Sequence, residues 1–255
     1  MRTIACHAQA HLVQSAWILE DPLSRLLSVM SVYVFETIDV IGAGRGALVD
    51  RLLHKEGPYL EESFGVRLLS VWATAGSTAN WPEANALWEM DDWEQFGLAQ
   101  QARFPLEEKD AYGCELVRHA HPLRSGGQNE LLVGSDFSPP GERIREAVQN
   151  AMVVLRESVR TRPGALATYQ KALQEEYLPV ANERGLTLLG AYHHALRPNT
   201  ATNLWGFRDW SHVAEVMETA EADDAQESWV QRQAALLEDT EGWLLAAPPA
   251  QPLGT

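Results

Sequence analysis

The stretch Asn85-Ala86-Leu87-Trp88-Glu89-Met90-Asp91-Asp92-Trp93 returns later in the chain as Thr202-Asn203-Leu204-Trp205-Gly206-Phe207-Arg208-Asp209-Trp210. The two stretches begin 117 residues apart, at positions 85 and 202. Four further matches follow the same order, and they pair Gly46–Leu48 with Gly164–Leu166, Tyr59-Leu60 with Tyr177-Leu178, Leu68–Trp72 with Leu188–Tyr192, and Leu131–Val133 with Leu244–Ala246. Five collinear matches at a nearly constant offset indicate a tandem duplication.

Each copy shows the pattern β-α-β-β-α-β. The predicted strands are Ser31–Val40, Val66–Thr74, Ala84–Met90 and Glu130–Ser135, then Val153–Arg160, Leu186–His194, Thr202–Phe207 and Gly242–Ala247. The predicted helices are Gly46–Phe64, Trp93–Arg103 and about 108–122, then Pro163–Arg184, Ser211–Ala220 and about 225–238. An aspartate stands before each helix that follows a third strand, in position to cap it. We therefore expect a mobile N-terminal extension (1–29), a first repeat (30–140) and a second repeat (141–255).

The composition excludes several classes of protein. The chain has 255 residues and a formal net charge of −15, so it would repel phosphate backbones and anionic lipid. Two cysteines cannot form a disulfide framework or a four-thiolate zinc site. No apolar run is long enough for a membrane helix, and the first residues do not read as a signal peptide. These features predict a soluble cytoplasmic protein, with no nucleic-acid or membrane partner.

One repeat covers one face of a four-stranded antiparallel sheet with helices and leaves the other face bare. Two repeats in one chain can press those bare faces together and close a barrel, so either a monomer or a homodimer is possible. The motifs Leu155-Arg156-Glu157, Arg162-Pro163-Gly164 and Asn203–Phe207 resemble the NIPSNAP branch of the dimeric α+β barrel superfamily, in a fused tandem form. The resemblance implies an α+β fold of two tandem ferredoxin-like repeats. The first repeat departs from the motif, with Phe35-Glu36-Thr37 in place of Arg-Glu.

Strand alternation assigns residues to the barrel interior. On this basis the second strands send Trp72 and Tyr192 inward, and the third strands send in a second group: Trp88, Met90, Trp205 and Phe207. The pattern predicts an aromatic cavity that binds a small aromatic molecule through these six side chains. The alternative is that the rings simply fill the barrel core.

Three polar residues share the predicted interior with the rings, namely Thr74, His194 and Asn203. His194 is predicted to act as a general base, since a histidine can take a proton near neutral pH. Thr74 and Asn203 would then hydrogen-bond the developing oxyanion. Two alternatives stay open for His194: a barrel histidine without a chemical role, and a ligand of a metal or of haem iron. We predict no metal site from the sequence.

The family resemblance also implies an activity. Fused barrels of this kind resemble oxygenases of actinomycete natural-product biosynthesis, which open a ring of an angucycline polyketide by cleaving a carbon–carbon bond. The resemblance implies reduced flavin (FADH2) as a diffusible cosubstrate, with a flavin reductase as a possible partner. Two other functions fit the same resemblance: a non-catalytic NIPSNAP-like binding or interaction protein, and a haem-binding enzyme.

Overall fold

The computed structural model describes residues 31–103, 121–220 and 224–248. The expected N-terminal extension, residues 1–29, lies outside these ranges, as does nearly all of the helix predicted over about 108–122. His121–Leu123 form a short 3-10 turn that leads into the next strand. Within the described ranges, no helix is long and apolar enough to cross a membrane.

The first half of the chain follows the predicted order of strands and helices. Its elements are β1 (Val32–Val40), α1 (Arg45–Arg51), a π-helical segment (Leu52–Glu56), α2 (Gly57–Phe64), β2 (Arg67–Thr74), β3 (Glu83–Met90), α3 (Trp93–Arg103) and β4 (Arg124–Gly134). Gly65 ends α2 in the left-handed conformation with φ 67°, which glycine adopts without steric cost. β4 begins six residues before the predicted strand, at Arg124, because its polar start pairs with β1 as far as Val40.

Among the described residues, the second half repeats this order with one helix added before its first strand and another added before its last. Its elements are α4 (Gly141–Ala147), β5 (Val153–Thr161), α5 (Leu166–Ala172), a π-helical segment (Leu173–Tyr177), α6 (Leu178–Glu183), β6 (Thr187–His194), β7 (Thr200–Phe207), α7 (Trp210–Ala220), α8 (Asp224–Leu236) and β8 (Leu237–Ala246). The sequence predicts no helix or strand between Ser135 and Val153, where α4 lies. β8 also begins earlier than predicted, since Leu237 pairs with the end of β5.

The two predicted aspartate caps are present. Asp92 Oδ1 accepts the backbone N–H of Gln95 at 2.8 Å, at the start of α3. Asp209 Oδ1 accepts the backbone N–H of His212 at 2.8 Å, at the start of α7. Each carboxylate satisfies an amide that the first helical turn leaves unpaired, so both helices begin where the repeat pattern predicts.

The eight strands form one closed antiparallel barrel in the order β1-β3-β2-β8-β5-β7-β6-β4. Each half contributes a ferredoxin-like sheet, and the halves meet at two short seams. At one seam β2 pairs with β8, where Thr74 faces Leu245. At the other, β4 pairs with β6, where Leu132 faces His194. The predicted α+β fold of two tandem repeats closing one barrel is therefore confirmed.

Buried side chains form three cores. One lies between the first sheet and its helices, where Leu48 and Leu52 pack near Ala86. A second lies in the same place in the second half, around Leu173. The third fills the barrel itself and includes Trp72. The sheets therefore bury both of their faces, as a barrel wrapped in helices requires.

Candidate functional site

The structure corrects the predicted direction of β3. Trp88 and Met90 do not point into the barrel, because both pack in the core between the first sheet and its helices, beside Leu48 and Leu52. The prediction that β3 lines the barrel with these two side chains is wrong.

The same correction applies to β7. Trp205 and Phe207 pack in the core under the helices of the second half. Asn203 lies on this side too, because its Nδ2 donates a hydrogen bond to the Tyr169 hydroxyl of α5 at 2.7 Å. None of these three side chains faces the barrel interior.

Hydrogen bonding of the indole N–H explains both directions. Most buried tryptophans hydrogen-bond this group, although that of Trp72 in the barrel has no partner among the described residues. Trp88 Nε1 donates to Glu36 at 3.0 Å, and Trp205 Nε1 donates to Glu157 at 2.7 Å. Both glutamates lie on the helix-facing side of the first strand of their half, so each tryptophan turns to that side.

The barrel interior is filled by the protein's own side chains. Trp72 and Tyr192 point into it, as the sequence predicts, and both are fully buried. Trp72 stacks on Phe35 with ring centroids 6.3 Å apart, and Tyr192 contacts Tyr33 at 4.9 Å. Gly190 leaves no free space, because the Tyr192 ring folds over it. The expected ring-lined hollow inside the barrel is therefore wrong, because buried side chains fill this space.

Thr74 belongs to a polar chain at the β2–β8 seam. Asn85 Nδ2 donates to Thr74 Oγ1 at 2.8 Å, and Thr74 Oγ1 donates to Glu83 at 3.0 Å. These groups border a void of about 80 Å³. Since His194 lies at the other seam and Asn203 lies under the helices, the structure does not bring the three predicted catalytic residues together.

A larger cavity, of about 380 Å³, lies on the helix-facing side of the first sheet, beside the β4–β6 seam. Its apolar lining consists of Val34, Val66, Trp88, Met90, Phe96, Ala99, Leu131 and Leu196. Its polar lining consists of Glu36, Gln100, Asn129, Glu130, His194 and Arg197. The volume falls in the range of small-molecule pockets, roughly 300–1,000 Å³.

Both halves of the chain contribute to this cavity. β4 and β6 pair over three residue pairs only, from Leu132↔His194 to Gly134↔Tyr192. One further backbone hydrogen bond, from Ala195 N–H to the Leu131 carbonyl at 2.9 Å, follows these pairs. His194 and the loop after it line the cavity of the first half. Of the nine predicted site residues, the cavity collects three: Trp88, Met90 and His194.

Glu36 lies buried at the cavity within a network of alternating charges. It accepts the Trp88 indole N–H, and it forms an ion pair with Arg124 at 2.6 Å. Arg124 also reaches Glu56 at 3.5 Å, and Glu56 pairs with Arg51 at 2.6 Å. Two carboxylates and two guanidinium groups balance one another, so the Trp88 ring is held in place without adding net charge to the site.

His194 lies buried at the seam with one nitrogen engaged. Its Nε2 is 2.9 Å from Thr202 Oγ1, and the Thr202 hydroxyl donates to Glu130 at 3.5 Å. Thr202 must then accept the Nε2–H, which leaves Nδ1 as the basic nitrogen. Burial lowers the pKa of His194, and nearby Glu130 opposes this shift only in part because Arg156 pairs with that carboxylate at 2.6 Å. The imidazole is therefore neutral at neutral pH.

Sequence reasoning missed the charged partners at this site. One signal was available, since Glu36 and Glu157 hold the same position in β1 and β5, each near the tryptophan of the neighbouring third strand. The prediction treated Phe35-Glu36-Thr37 only as a departure from a motif. Arg124 had no local signal, because it lies 88 residues from Glu36 in the chain.

His194 and the size of the cavity bear on the cofactors that the family resemblance implies. A haem would need His194 Nδ1 as its ligand, since Nε2 is bonded to Thr202 Oγ1. A cavity of about 380 Å³ has room for one flat polycycle. Among the described residues, no group of three or more His, Cys, Asp or Glu side chains is placed to hold a metal ion.

Comparisons with known proteins bear on the fold. No protein-family profile matches the chain, and a search of curated proteins finds no match. A solved structure from Lactobacillus acidophilus, of a protein proposed to be a monooxygenase, aligns over 85% of this chain and 93% of its own with TM-score 0.58 and 8% identity. An anthrone oxidase-like protein aligns over 86% of this chain and 92% of its own, also with TM-score 0.58 and 8% identity.

A shorter structure matches part of the chain. A NIPSNAP family protein from Agrobacterium tumefaciens aligns over 41% of this chain and 93% of its own, with 24% identity and TM-score 0.36. At 8% identity the two longer matches show a shared fold and do not show a shared activity or substrate. The chain therefore has the ferredoxin-like barrel fold found in these monooxygenase-type and anthrone oxidase-like proteins.

Proposed function

We propose that the cavity beside the β4–β6 seam binds a flat polycyclic phenol or anthrone, and that the protein is an oxygenase that oxidises it with dioxygen. One observation carries the proposal. A single cavity of about 380 Å³ joins an apolar wall, which includes Trp88, to a neutral histidine with a free acceptor nitrogen. The oxygenase-type fold supports the same reading.

The apolar wall suits a flat ring system. Trp88, Met90 and Phe96 line the cavity together, and aromatic and thioether side chains pack well against aromatic ligands. Glu36 fixes the indole of Trp88, so the ring is in place before the ligand arrives. Preorganisation of this kind lowers the entropy cost of binding.

The polar side of the cavity suits proton removal. A phenol hydroxyl has a pKa near 10, as in tyrosine, and gives up its proton more easily when a base and hydrogen-bond donors surround it. His194 Nδ1 accepts the proton, while Nε2 stays bonded to Thr202. The amide groups of Gln100 and Asn129, which also line the cavity, donate to the developing oxyanion in place of the predicted Thr74 and Asn203.

The resulting anion can reduce dioxygen by itself. Oxidation of a ring CH₂ to a ketone places one oxygen atom in the product and releases the other as water, and the substrate supplies all four electrons. Ring opening by carbon–carbon bond cleavage is the finer form of the proposal. Insertion of one oxygen atom into a carbon–carbon bond replaces that bond by two C–O bonds and takes two electrons from the substrate. The other two electrons, which convert the second oxygen atom to water, would come from a reduced flavin produced by a separate reductase.

The test compares His194→Gln with His193→Gln. Glutamine keeps a side-chain amide near Thr202 but removes the base, so oxygen uptake with anthrone is expected to fall roughly 10²–10⁴-fold. His193 is the matched control, because the next residue of a strand faces the other side and His193 borders a different cleft. In the wild type the rate should rise with pH through a pKa below 6.5 and then level off, since only neutral His194 acts as the base.

Other outcomes of this test would contradict the oxygenase activity, the base or the cavity. Anthrone that binds, by tryptophan fluorescence, without oxygen uptake beyond the protein-free rate would favour the non-catalytic NIPSNAP-like binding protein. That result should be checked with and without reduced flavin. An unchanged rate in His194→Gln would remove the base assignment, and no binding at all would remove the cavity from consideration.

A further inference from the structure

Arg197 stands at the cavity as a cation without a partner. It lines the cavity from the loop between β6 and β7, and its side chain is exposed. Within the part of the chain that the structure describes, its guanidinium takes part in no ion pair or hydrogen bond. This contrasts with the two arginines deeper in the site, Arg124 and Arg156, which each have a carboxylate at 2.6 Å.

The other described charges at the cavity cancel. Glu36 and Glu56 are balanced by Arg124 and Arg51. Their network therefore adds no net charge to the site.

The charges at the seam cancel as well. Glu130 is balanced by Arg156, and burial keeps His194 neutral. Arg197 therefore gives the described lining a net positive charge, on a chain whose formal charge is −15. A positive site on a strongly negative surface attracts anions that the rest of the surface repels.

The loop that carries Arg197 is held in place. Asn199 adopts the left-handed conformation, with φ 59°, which asparagine tolerates better than most residues. Its carbonyl accepts the Thr161 N–H at 2.8 Å, and its Oδ1 accepts the Gly164 N–H at 3.1 Å. The loop is therefore tied to the second half while Arg197 reaches the cavity of the first.

We infer that the cavity selects an aromatic ligand that carries a carboxylate, which Arg197 binds at the mouth while the rings lie against Trp88. The planar guanidinium can donate two parallel hydrogen bonds to a carboxylate. The second half of the chain would thus supply the specificity of a cavity built mainly from the first half. The inference rests on the proposed function only in that both use the same cavity.

The test measures the affinity of two matched ligands by calorimetry at neutral pH, anthracene carboxylic acid and its primary amide. The wild type should bind the acid roughly tenfold more tightly, as expected for a charge-assisted pair that is partly open to solvent. Arg197→Gln should bring the two affinities within about twofold of each other and leave the amide unaffected, whereas Arg197→Lys should keep part of the preference. Salt should weaken binding of the acid alone.

Arg143→Gln is the control for net charge, because Arg143 is exposed on α4 and forms an ion pair with its neighbour Glu146. It should retain the wild-type preference. An equal preference in Arg197→Gln and wild type would overturn the inference, as would a wild type that binds the amide as tightly as the acid. In either case the cavity of the proposed function would stand. A wild type that binds neither ligand would overturn both.

Discussion

The two halves carry the same tryptophan–glutamate pair, but only one of them leaves space beside it. In the first half, Trp88 donates to Glu36 at the edge of a cavity of about 380 Å³. In the second half, Trp205 donates to Glu157 inside a packed core. The strands and the hydrogen bond are alike, so the difference must come from the side chains around them.

Aromatic rings fill the second half. Tyr177 meets Trp205 edge-on at 5.3 Å and stacks on Trp229 at 5.0 Å. The structure corrects the sequence match of Tyr59 with Tyr177, because alignment of the two π-helical segments puts Glu56 at the position of Tyr177. A ring that covers the tryptophan in one half is thus replaced by a carboxylate that reaches away toward an arginine in the other.

The arginine, Arg124, has a structural counterpart in the second half, which is Leu237. Arg124 is the first residue of β4 and Leu237 is the first residue of β8, and each pairs with the last residue of its neighbouring first strand. Arg124 neutralises Glu36, whereas leucine cannot do the same for Glu157. Burial therefore raises the pKa of Glu157, and the hydrogen bonds from Trp205 and Asn203 oppose that shift only in part. Charged pairs in place of rings keep the first site polar and open, and the second site is closed and apolar.

The largest expected effect is a difference in lost stability between alanine variants of Trp205 and Trp88. Trp205→Ala should lower the free energy of unfolding by about 3–5 kcal/mol, as for a large side chain deleted from a packed core. Trp88→Ala should cost less, about 2 kcal/mol, because its ring already borders empty space and has fewer packing contacts to lose. Urea unfolding of both variants measures this difference. Equal losses would mean that the two sites are packed alike, and the comparison would fail.

The next effect concerns Arg124. Arg124→Leu introduces the residue of the second half and leaves Glu36 and Glu56 facing each other with one guanidinium fewer. Removing one partner of a fully buried pair costs about 3–5 kcal/mol, and we expect about 2–3 kcal/mol because the Arg124 side chain is 24% exposed. Arg143→Leu, on the exposed face of α4, should change stability by less than about 0.5 kcal/mol. A loss no larger than that of this control would show that Arg124 does not sustain the polar site.

The smallest expected effect is that Glu157→Gln and Glu36→Gln change the free energy of unfolding in opposite directions. Because the pKa of Glu157 is raised in the folded state, the wild type loses stability as the pH rises above about 4.5, the ordinary value. Glu157→Gln removes this loss and should stabilise the protein at neutral pH. Glu36→Gln should instead destabilise it, because Arg124 loses its closest carboxylate. Unfolding measured at acid and neutral pH distinguishes the two, and a destabilised Glu157→Gln would contradict the prediction.

Several features of the fold could be predicted from local patterns. The order of elements follows from strand and helix periodicity, and Asp92 and Asp209 cap the helices that the repeat places after them. The inward direction of Trp72 and Tyr192 is also as predicted. The direction of β3 and β7 was not, because alternation shows which residues share a face but not which face turns inward. There the acceptors on β1 and β5 decided the outcome.

The sequence by itself determined that two similar units are joined in tandem, and from this followed the barrel and its wrapping of helices. Only the tertiary structure decided where the space for a ligand lies. Glu36 and Arg124 are 88 residues apart in the chain, and His194 and Arg197 reach the cavity from the other repeat. Contacts of this kind depend on how the strands close around the barrel and where the seams separate. A pattern of alternating residues, which reports only on neighbours within one strand, carries no information about them.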